Sequence, residues 1–365
     1  MTRTVQFIFT CFLFSALLSS CGSKDKSDNG NSLLPVARGD AAEIILVMDS
    51  AQWNGPLGSE MRRTFELIIP GLNRAEPLFD LKQVAPKSLN GVLKSAKNMI
   101  FVTTLNNNTR AGKIMKGYYT AESLSKINED PNLFYFTRKD NYARGQEILY
   151  LFGKDDESLI RKLRENGDIL RQYFEDVENK RLQANLFKIQ ERDLADVLYD
   201  RHNFKLKIPY GYELAQDKGN FVWLRALDLE VDKTIFVYYE PYTNQEVFKD
   251  ITALRSRITE KYLRDIEKDN IYITYQDVLP FITKDINFKG SYAVETRGLW
   301  KTSDSTNGGP FISYTFVDEV LNRLYYIEGY VYAPSKDRKR DYINEFQAIL
   351  QSFQPAQSAA PAAGR

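Results

Sequence analysis

The stretch Ser291–Tyr332, "SYAVETRGLWKTSDSTNGGPFISYTFVDEVLNRLYYIEGYVY", decides the fold class of the second half of the chain. Its strand signals fall at 291–301, 311–318 and 322–333, separated by clusters of Gly, Asn, Asp and Ser, as in a meander of consecutive strands. Working outward, similar signals predict strands at 204–208, 212–216, 220–227, 234–239 and 271–276. A helix over 245–268 follows from the stripe Val247, Ile251, Leu254, Ile258, Tyr262 and Ile266, and a last helix is predicted at 336–352. Strands grouped together, then a helix, then a meander and a helix, predict an antiparallel sheet packed by helices.

The first half reads differently. Glu43-Ile-Ile-Leu-Val-Met48 is a continuous apolar run, typical of a strand covered on both faces. Asp49 and Trp53-Asn-Gly-Pro-Leu-Gly58 follow, then an amphipathic stretch through Ile69, with Pro56 suited to a first helical turn and Pro70-Gly71 as a stop. Further strands are predicted at 78–84, 98–104, 133–138 and 146–152, an alternation that points to an α/β arrangement. From Asp156 to about Phe187 the pattern is helical, with a break expected at Glu165-Asn-Gly-Asp168, and another helix is expected at 190–200. The fold class is therefore α+β in two domains, an N-terminal α/β domain with a long helical segment (41–188) and a C-terminal antiparallel domain (189–353). The boundary falls near 188–203. The tail 354–365, small and rich in Pro and Ala, is expected to be disordered.

Charge is balanced, with 49 Lys plus Arg against 48 Asp plus Glu, and no long basic run occurs, so nucleic acid is not an expected partner. Residues 1–20 carry a single charge, Arg3, before the apolar stretch Phe7 to Leu18, the length of a signal-peptide core and too short to cross a bilayer. Leu18-Ser19-Ser20-Cys21 then resembles the bacterial lipobox. That resemblance implies a diacylglycerol on the Cys21 sulfur, cleavage before it and acylation of the new amine. Cys11 lies in the segment to be removed, so Cys21 has no disulfide partner. Two or more acyl chains hold stably where one is marginal. Residues 21–40 become the lipidated cysteine and a polar tether, whose ten or so flexible residues reach roughly 15–20 Å. The expected location is the cell envelope, as an outer-membrane lipoprotein, since no Asp follows Cys21 to signal inner-membrane retention, with the periplasmic face favoured over surface exposure. Lys24-Asp25 faintly resembles the lysine-acidic signal that sends some bacterial lipoproteins to the cell surface.

The blocks "VMDSAQWNGPLG", "IPGLNRAEPLFDL", "NYARGQEILYL" and "YAVETRGLWKTSDSTNGGPFISY", in this order, resemble lipoproteins of Bacteroidota grouped as domain of unknown function 4837. The resemblance spans nearly the whole mature chain, supports the lipoprotein reading and brings no catalytic residues. "FKLKIPYGYEL" and the closing "YINEFQAILQSF" resemble the PsbP/Mog1-type α/β/α sandwich, which serves mostly as a binding scaffold, although fold does not fix function.

Catalytic patterns are sparse. His202 is the single histidine, which excludes Ser-His-Asp, Cys-His and multi-histidine metal sites built from this chain alone; at a helix-to-strand junction it reads as a surface or capping residue. G-x-S-x-G, the P-loop and G-x-G-x-x-G do not occur. The calcium-like run Asp25-x-Ser27-x-Asn29-Gly30 has Val36 where an EF-hand needs a bidentate Glu. The Gly55–Gly58 turn reads as a helix start rather than an anion site. Asp49 and Glu76 form a conceivable carboxylate pair, as glycosidases use. Asp49-Ser50-Ala51 and Asp304-Ser305-Thr306 resemble a short O-glycosylation motif.

The segment Glu295–Trp300 with the polar loop 302–310 is the best candidate for binding. Strand alternation puts Tyr292, Val294, Thr296, Gly298 and Trp300 on one face, and Glu295, Arg297, Leu299 and Lys301 on the other. Arg297 and Trp300, with Trp223, Tyr238, Tyr239 and Tyr242, are residue types that dominate glycan, peptide and partner contacts; Arg297, Trp300, Trp223 and Tyr239 are the candidate binding residues. The expected function is a non-enzymatic, lipid-anchored envelope protein that binds or scaffolds another envelope component. A glycan or small-ligand binder and a carboxylate-based hydrolase are the alternatives. No cofactor, metal site or catalytic residue is expected.

Overall fold

A computed structural model describes residues 34–355 except 266, 267, 269 and 278. The fold is mixed α+β, with a small mostly parallel sheet in the first half and a large antiparallel sheet in the second. The first half runs β1 (Glu43–Val47), α1 (Ser50–Trp53), α2 (Pro56–Phe65), β2 (Asp80–Val84), α3 (Gly91–Lys94), β3 (Asn98–Thr104), α4 (Arg110–Lys116), α5 (Ala121–Glu129), β4 (Tyr135–Lys139), β5 (Glu147–Gly153) and α6 (Asp156–Leu186). Its sheet has the order β2-β1-β3-β5-β4, parallel except for the edge strand β4. Every residue of β3 is buried, because helices cover both faces. On one face Ile44, Leu46, Ile100 and Leu149 meet Leu57, Met61 and Phe65 of α2 and Leu163, Leu170 and Phe174 of α6. On the other, Phe101, Ile148 and Tyr150 meet Met115 of α4, Ile127 of α5 and Tyr119 between them.

The expected break in the long helix does not occur. α6 is continuous over 31 residues. Gly167 lies against Thr64 of α2, where a Cβ would sit 3.4 Å from the threonine Cγ2, and the stripe of Leu163, Leu170 and Phe174 passes through it unbroken. Asp168 pairs with Arg171 on the same helix rather than capping a new one. The glycine fits a close helix crossing, and burial along the stripe outweighs its helix-breaking tendency.

The second half runs α7 (Arg192–His202), β6 (Phe204–Lys205), β7 (Glu213–Asp217), β8 (Phe221–Leu227), β9 (Asp232–Pro241), α8 (Ile251–Tyr262), β10 (Ile273–Tyr275), β11 (Ile282–Phe288), β12 (Ser291–Thr302), β13 (Gly308–Asp318), β14 (Arg323–Tyr332), α9 (Arg340–Gln351) and β15 (Gln354–Pro355). The large sheet has the order β10-β12-β13-β14-β9-β8-β7, with β11 also paired to β12, and every pairing is antiparallel. α9 and α7 pack on one face through Ile343, Phe346, Ile349 and Leu198. α8 covers the other through Ile251, Leu254 and Ile258.

Two expectations change here and one strand is added. The helix predicted at 245–268 is a short 3-10 turn, Gln245–Phe248, followed by α8, because Asp250 accepts the Ala253 N–H at 2.8 Å and caps a new helix; Ile266 lies outside the described residues. β11 carries too weak a pattern to be read from the sequence, and is joined to β12 by Lys289-Gly290, both at positive φ as a tight two-residue hairpin requires. The polar loop predicted at 302–310 shrinks to 303–307, since β13 begins at Gly308 opposite Lys301.

The two halves share an interface. Between α2 and β2 the chain makes an excursion closed by Ile69 N–H to Glu76 O (2.9 Å) and Leu78 N–H to Leu67 O (2.8 Å). Ile69 and Leu72 from this excursion are buried in the α9-side core of the second half. At its tip Gly71 has φ +79°, and its Cβ position would lie 2.8 Å from the Arg297 Cβ, so only glycine permits both the turn and the contact. Glu76, buried, accepts the backbone N–H of Lys339 at 2.8 and 3.0 Å and that of Arg340 at 2.9 Å. It therefore caps α9 from the opposite half, which is why the last helix begins at Arg340 instead of 336.

Candidate functional site

The structure divides the four candidate binding residues between two faces of the large sheet. Trp300, 4% exposed, packs on Tyr330 in the α8-side core and donates its indole N–H to the Val331 carbonyl at 3.2 Å. Trp223 borders the same core, with three strands between it and Trp300, and has Arg225 over its ring at 5.3 Å. Arg297 is on the α9 side, paired with Glu295 at 2.7 Å and donating to Gln347 Oε1 at 3.1 Å, with Gly71 against its stem. Tyr239, also on the α9 side, donates to the Gly219 carbonyl at 2.9 Å. Tyr238 and Tyr242 belong with the α8-side core. These aromatics are core material and Arg297 is an interface residue, so no single pocket gathers them.

The other polar candidates are structural too. His202 is 3% exposed rather than a surface residue; its Nδ1 lies 3.0 Å from the Tyr239 hydroxyl, and its Nε2 lies 3.2 Å from Asp217 without making an aligned hydrogen bond. Asn203 in the αL conformation ends α7 directly after it, and the imidazole stacks on the buried Phe204 with ring centroids 5.8 Å apart. Glu76 caps α9 and Asp49 caps α1, so each carboxylate is committed to a different helix start. The Gly55–Gly58 turn starts α2 with Pro56 in its first turn. Ser50 opens α1 and Asp304-Ser305-Thr306 sits in the exposed β12–β13 loop. Cys21, its tether, Lys24-Asp25 and the tail beyond Pro355 lie outside the described residues.

Two assemblies escaped sequence reading. The first is a polar cluster at the carboxyl ends of β1, β3 and β5. Strand order places β2 on one side of β1 and β3 on the other, a topological switch point, where open α/β sheets commonly bind ligands. There the Asp49 carboxylate accepts from Asn107 Nδ2 at 3.0 Å and Thr109 Oγ1 at 2.7 Å. Gln52 donates to Thr104 Oγ1 at 2.7 Å and Asp156 Oδ1 at 2.5 Å. Burial pushes the Asp49 carboxyl up, but the bonds from Asn107, Thr109 and the Ala51 N–H outweigh it and hold the group below its ordinary 3.8. A carboxylate kept ionised and fully bonded organises loops; it is not a general acid.

The second is an open cavity of about 480 Å³ beside the N-terminus of α8. Phe248, Ile251, Phe281 and Val294 give it an apolar side, while Thr283 and Asp285 of β11 and Asp250 give it a polar one. It escaped notice because its residues come from three separate segments with no shared motif. Beneath its apolar side lies a buried ion pair. Arg255 and Glu328, both wholly buried, form a bidentate pair at 2.8 and 2.7 Å, Tyr326 donates to the same carboxylate at 2.5 Å, and the guanidinium stacks over Phe311 at 4.2 Å. Among the described residues no group of three or more His, Cys, Asp or Glu is placed to hold a metal ion.

Residues 191–352 match the family model described as Domain of unknown function (DUF4837). Residues 37–187 match a second, Domain of unknown function (DUF8532). The resemblance read from sequence is therefore narrower than expected. Of its four blocks only "YAVETRGLWKTSDSTNGGPFISY" falls within the first match, and the other three fall within the second. No curated protein matches the chain. Among solved structures, a point mutant of protein Mog1 aligns at 8% identity over 43% of this chain and 92% of that chain, with a TM-score of 0.29. Human StAR-related lipid transfer protein 5 aligns at 10% identity over 47% of this chain and 96% of that chain, with a TM-score of 0.18.

Proposed function

We propose that this protein is a lipid-anchored component of the cell envelope, of the bacterial lipoprotein type seen in Bacteroidota, that acts as a binding or scaffolding module for another envelope component. The anchor reading rests on Arg3, the apolar run Phe7 to Leu18 and the lipobox-like Leu18-Ser19-Ser20-Cys21. The observation that carries the binding reading is the open cavity of about 480 Å³ beside α8, of a size and mixed lining suited to recognition. Support for a non-enzymatic role comes from the polar groups themselves. Asp49, Glu76, His202 and Arg297 all hold caps, loops or the contact between halves.

The test has two arms. Mass spectrometry of the protein purified from membranes reads the Cys21 modification; a diacylglyceryl adduct on an N-terminal Cys21 supports the anchor, and an unmodified chain retaining residues 1–20 overturns it. In-cell cross-linking followed by mass spectrometry reads partners. A reproducible envelope neighbour supports the binding role, and the lack of any neighbour across several growth conditions overturns it.

A further inference from the structure

We propose that β11 is a docking edge for an extended segment of a partner protein, which adds as a strand beside Thr283, Asp285 and Asn287 and places a Lys or Arg side chain in the cavity next to α8. This rests on the binding role proposed above and names the chemistry of the partner. β11 pairs with β12 alone, so its other edge has no strand beside it among the described residues. The two-residue turn Lys289-Gly290 fixes which groups that edge offers. Phe288 and Ser291, flanking the turn, form a hydrogen-bonded pair, and the pattern alternates along an antiparallel ladder. Ile286, Lys284 and Ile282 therefore bond to β12, while Thr283, Asp285 and Asn287 turn their N–H and C=O groups outward.

Those same residues are exposed, and no other backbone hydrogen bond reaches them among the described residues. Exposed edges invite pairing, and proteins commonly blunt them. The opposite edge of this sheet, β7, is blunted by a register shift between Leu214 and Gln216. β11 keeps regular register over its whole length.

The cavity supplies side-chain selection. Thr283 and Asp285 project into it from the edge strand itself, so a strand added there would present alternate side chains to the cavity. Its apolar side, with Phe248 and Phe281, fits an aliphatic stem. Its charge fits a cation. The lining ammonium of Lys249 is already paired with Glu246, and Asp277 with Lys301, whereas Asp250 and Asp285 have no cationic partner among the described residues. Asp250 caps α8, and Asp285 accepts the Tyr292 hydroxyl at 3.0 Å, so both carboxylates are held in place.

Fluorescence anisotropy on the full chain in detergent tests this with two labelled peptides of alternating Thr and Val, one with Lys at its centre and the other with Glu. The Lys peptide is expected to bind about tenfold more tightly than the Glu peptide. Asp285→Lys is expected to reverse that preference. Thr283→Pro, which removes only an outward N–H, is expected to weaken both peptides by about tenfold or more. If the proline variant does not fold, judged by near-ultraviolet circular dichroism, the Asp285→Lys reversal carries the test. Equal affinity for the two peptides, no saturable binding of the Lys peptide, or a folded Thr283→Pro that binds as wild type overturns the proposal. In-cell cross-links separate this proposal from the binding role beneath it. Partner cross-links that persist undiminished in folded Thr283→Pro overturn the β11 edge while leaving that role standing; their loss in that variant supports the edge.

Discussion

Replacing Glu76 with Ala should uncouple the two halves. The carboxylate makes three short hydrogen bonds to the Lys339 and Arg340 amides, at 2.8, 3.0 and 2.9 Å, from a position 7% exposed. Losing a helix cap costs about 1–2 kcal/mol. Losing a negative charge at a helix N-terminus costs about 0.3–1 kcal/mol more, toward the upper end where it is buried. The pocket does not admit water freely, so the two amides stay partly unpaired, and the total becomes about 2–4 kcal/mol. Glu76→Gln keeps one carbonyl oxygen as acceptor and should cost roughly 1 kcal/mol. Urea unfolding provides the assay, because each half has its own tryptophan reporters: Trp53 in the first, Trp223 and Trp300 in the second. Variants retaining only one set of tryptophans report each half separately. In wild type the two transitions are expected to coincide. In Glu76→Ala the second half is expected to unfold at lower urea than the first, and Glu76→Gln to fall between. A change below about 0.5 kcal/mol in Glu76→Ala, with the transitions still coincident, would refute the idea that this cap joins the halves.

Three further outcomes are expected. Asp49 is held below its ordinary 3.8 in the folded state, so its stabilisation is present above the unfolded value and lost as pH falls through the folded one; acid titration of Asp49→Asn should show a shallower loss of stability below about pH 4 than wild type. Arg255→Met strands the wholly buried Glu328 and should cost about 3–5 kcal/mol by urea denaturation, most of it recovered in the double variant Arg255→Met with Glu328→Leu. Gly71→Val forces a branched side chain into positive φ and against Arg297, and should destabilise by about 2 kcal/mol or more without altering the helical content read by circular dichroism.

Much of the architecture was legible because burial leaves a periodic mark. The run at 43–48 and the fully buried β3 announced a covered sheet, and alternation from Tyr292 to Lys301 assigned Trp300 and Arg297 to the faces they occupy. What stayed hidden depends on distant partners. Gly167 looks like a stop until Thr64 is placed against it. The start of α9 depends on a residue 263 positions earlier. β11 has mostly exposed residues, so no apolar alternation marked it, and the cavity beside it is assembled from loop, helix and strand. The polar cluster around Asp49 likewise exists only because parallel strands bring residues 49, 107 and 156 to one end of the sheet.

The continuity of α6 has a mechanical consequence. At about 1.5 Å per residue it is a rod roughly 46 Å long, with no joint where one was expected. Flexing between the halves is then confined to the short connector between Leu186 and Arg192. The Glu76–α9 contact is a further attachment away from that connector, joined by the Arg340–Asp80 pair at 3.0 Å, and together they oppose a twist of one half against the other. Ile69 and Leu72, seated in the core of the second half, act as stops against that twist. The halves should therefore tumble as one body, and a load applied at the far sheet would reach the first half through a stiff arm rather than a hinge.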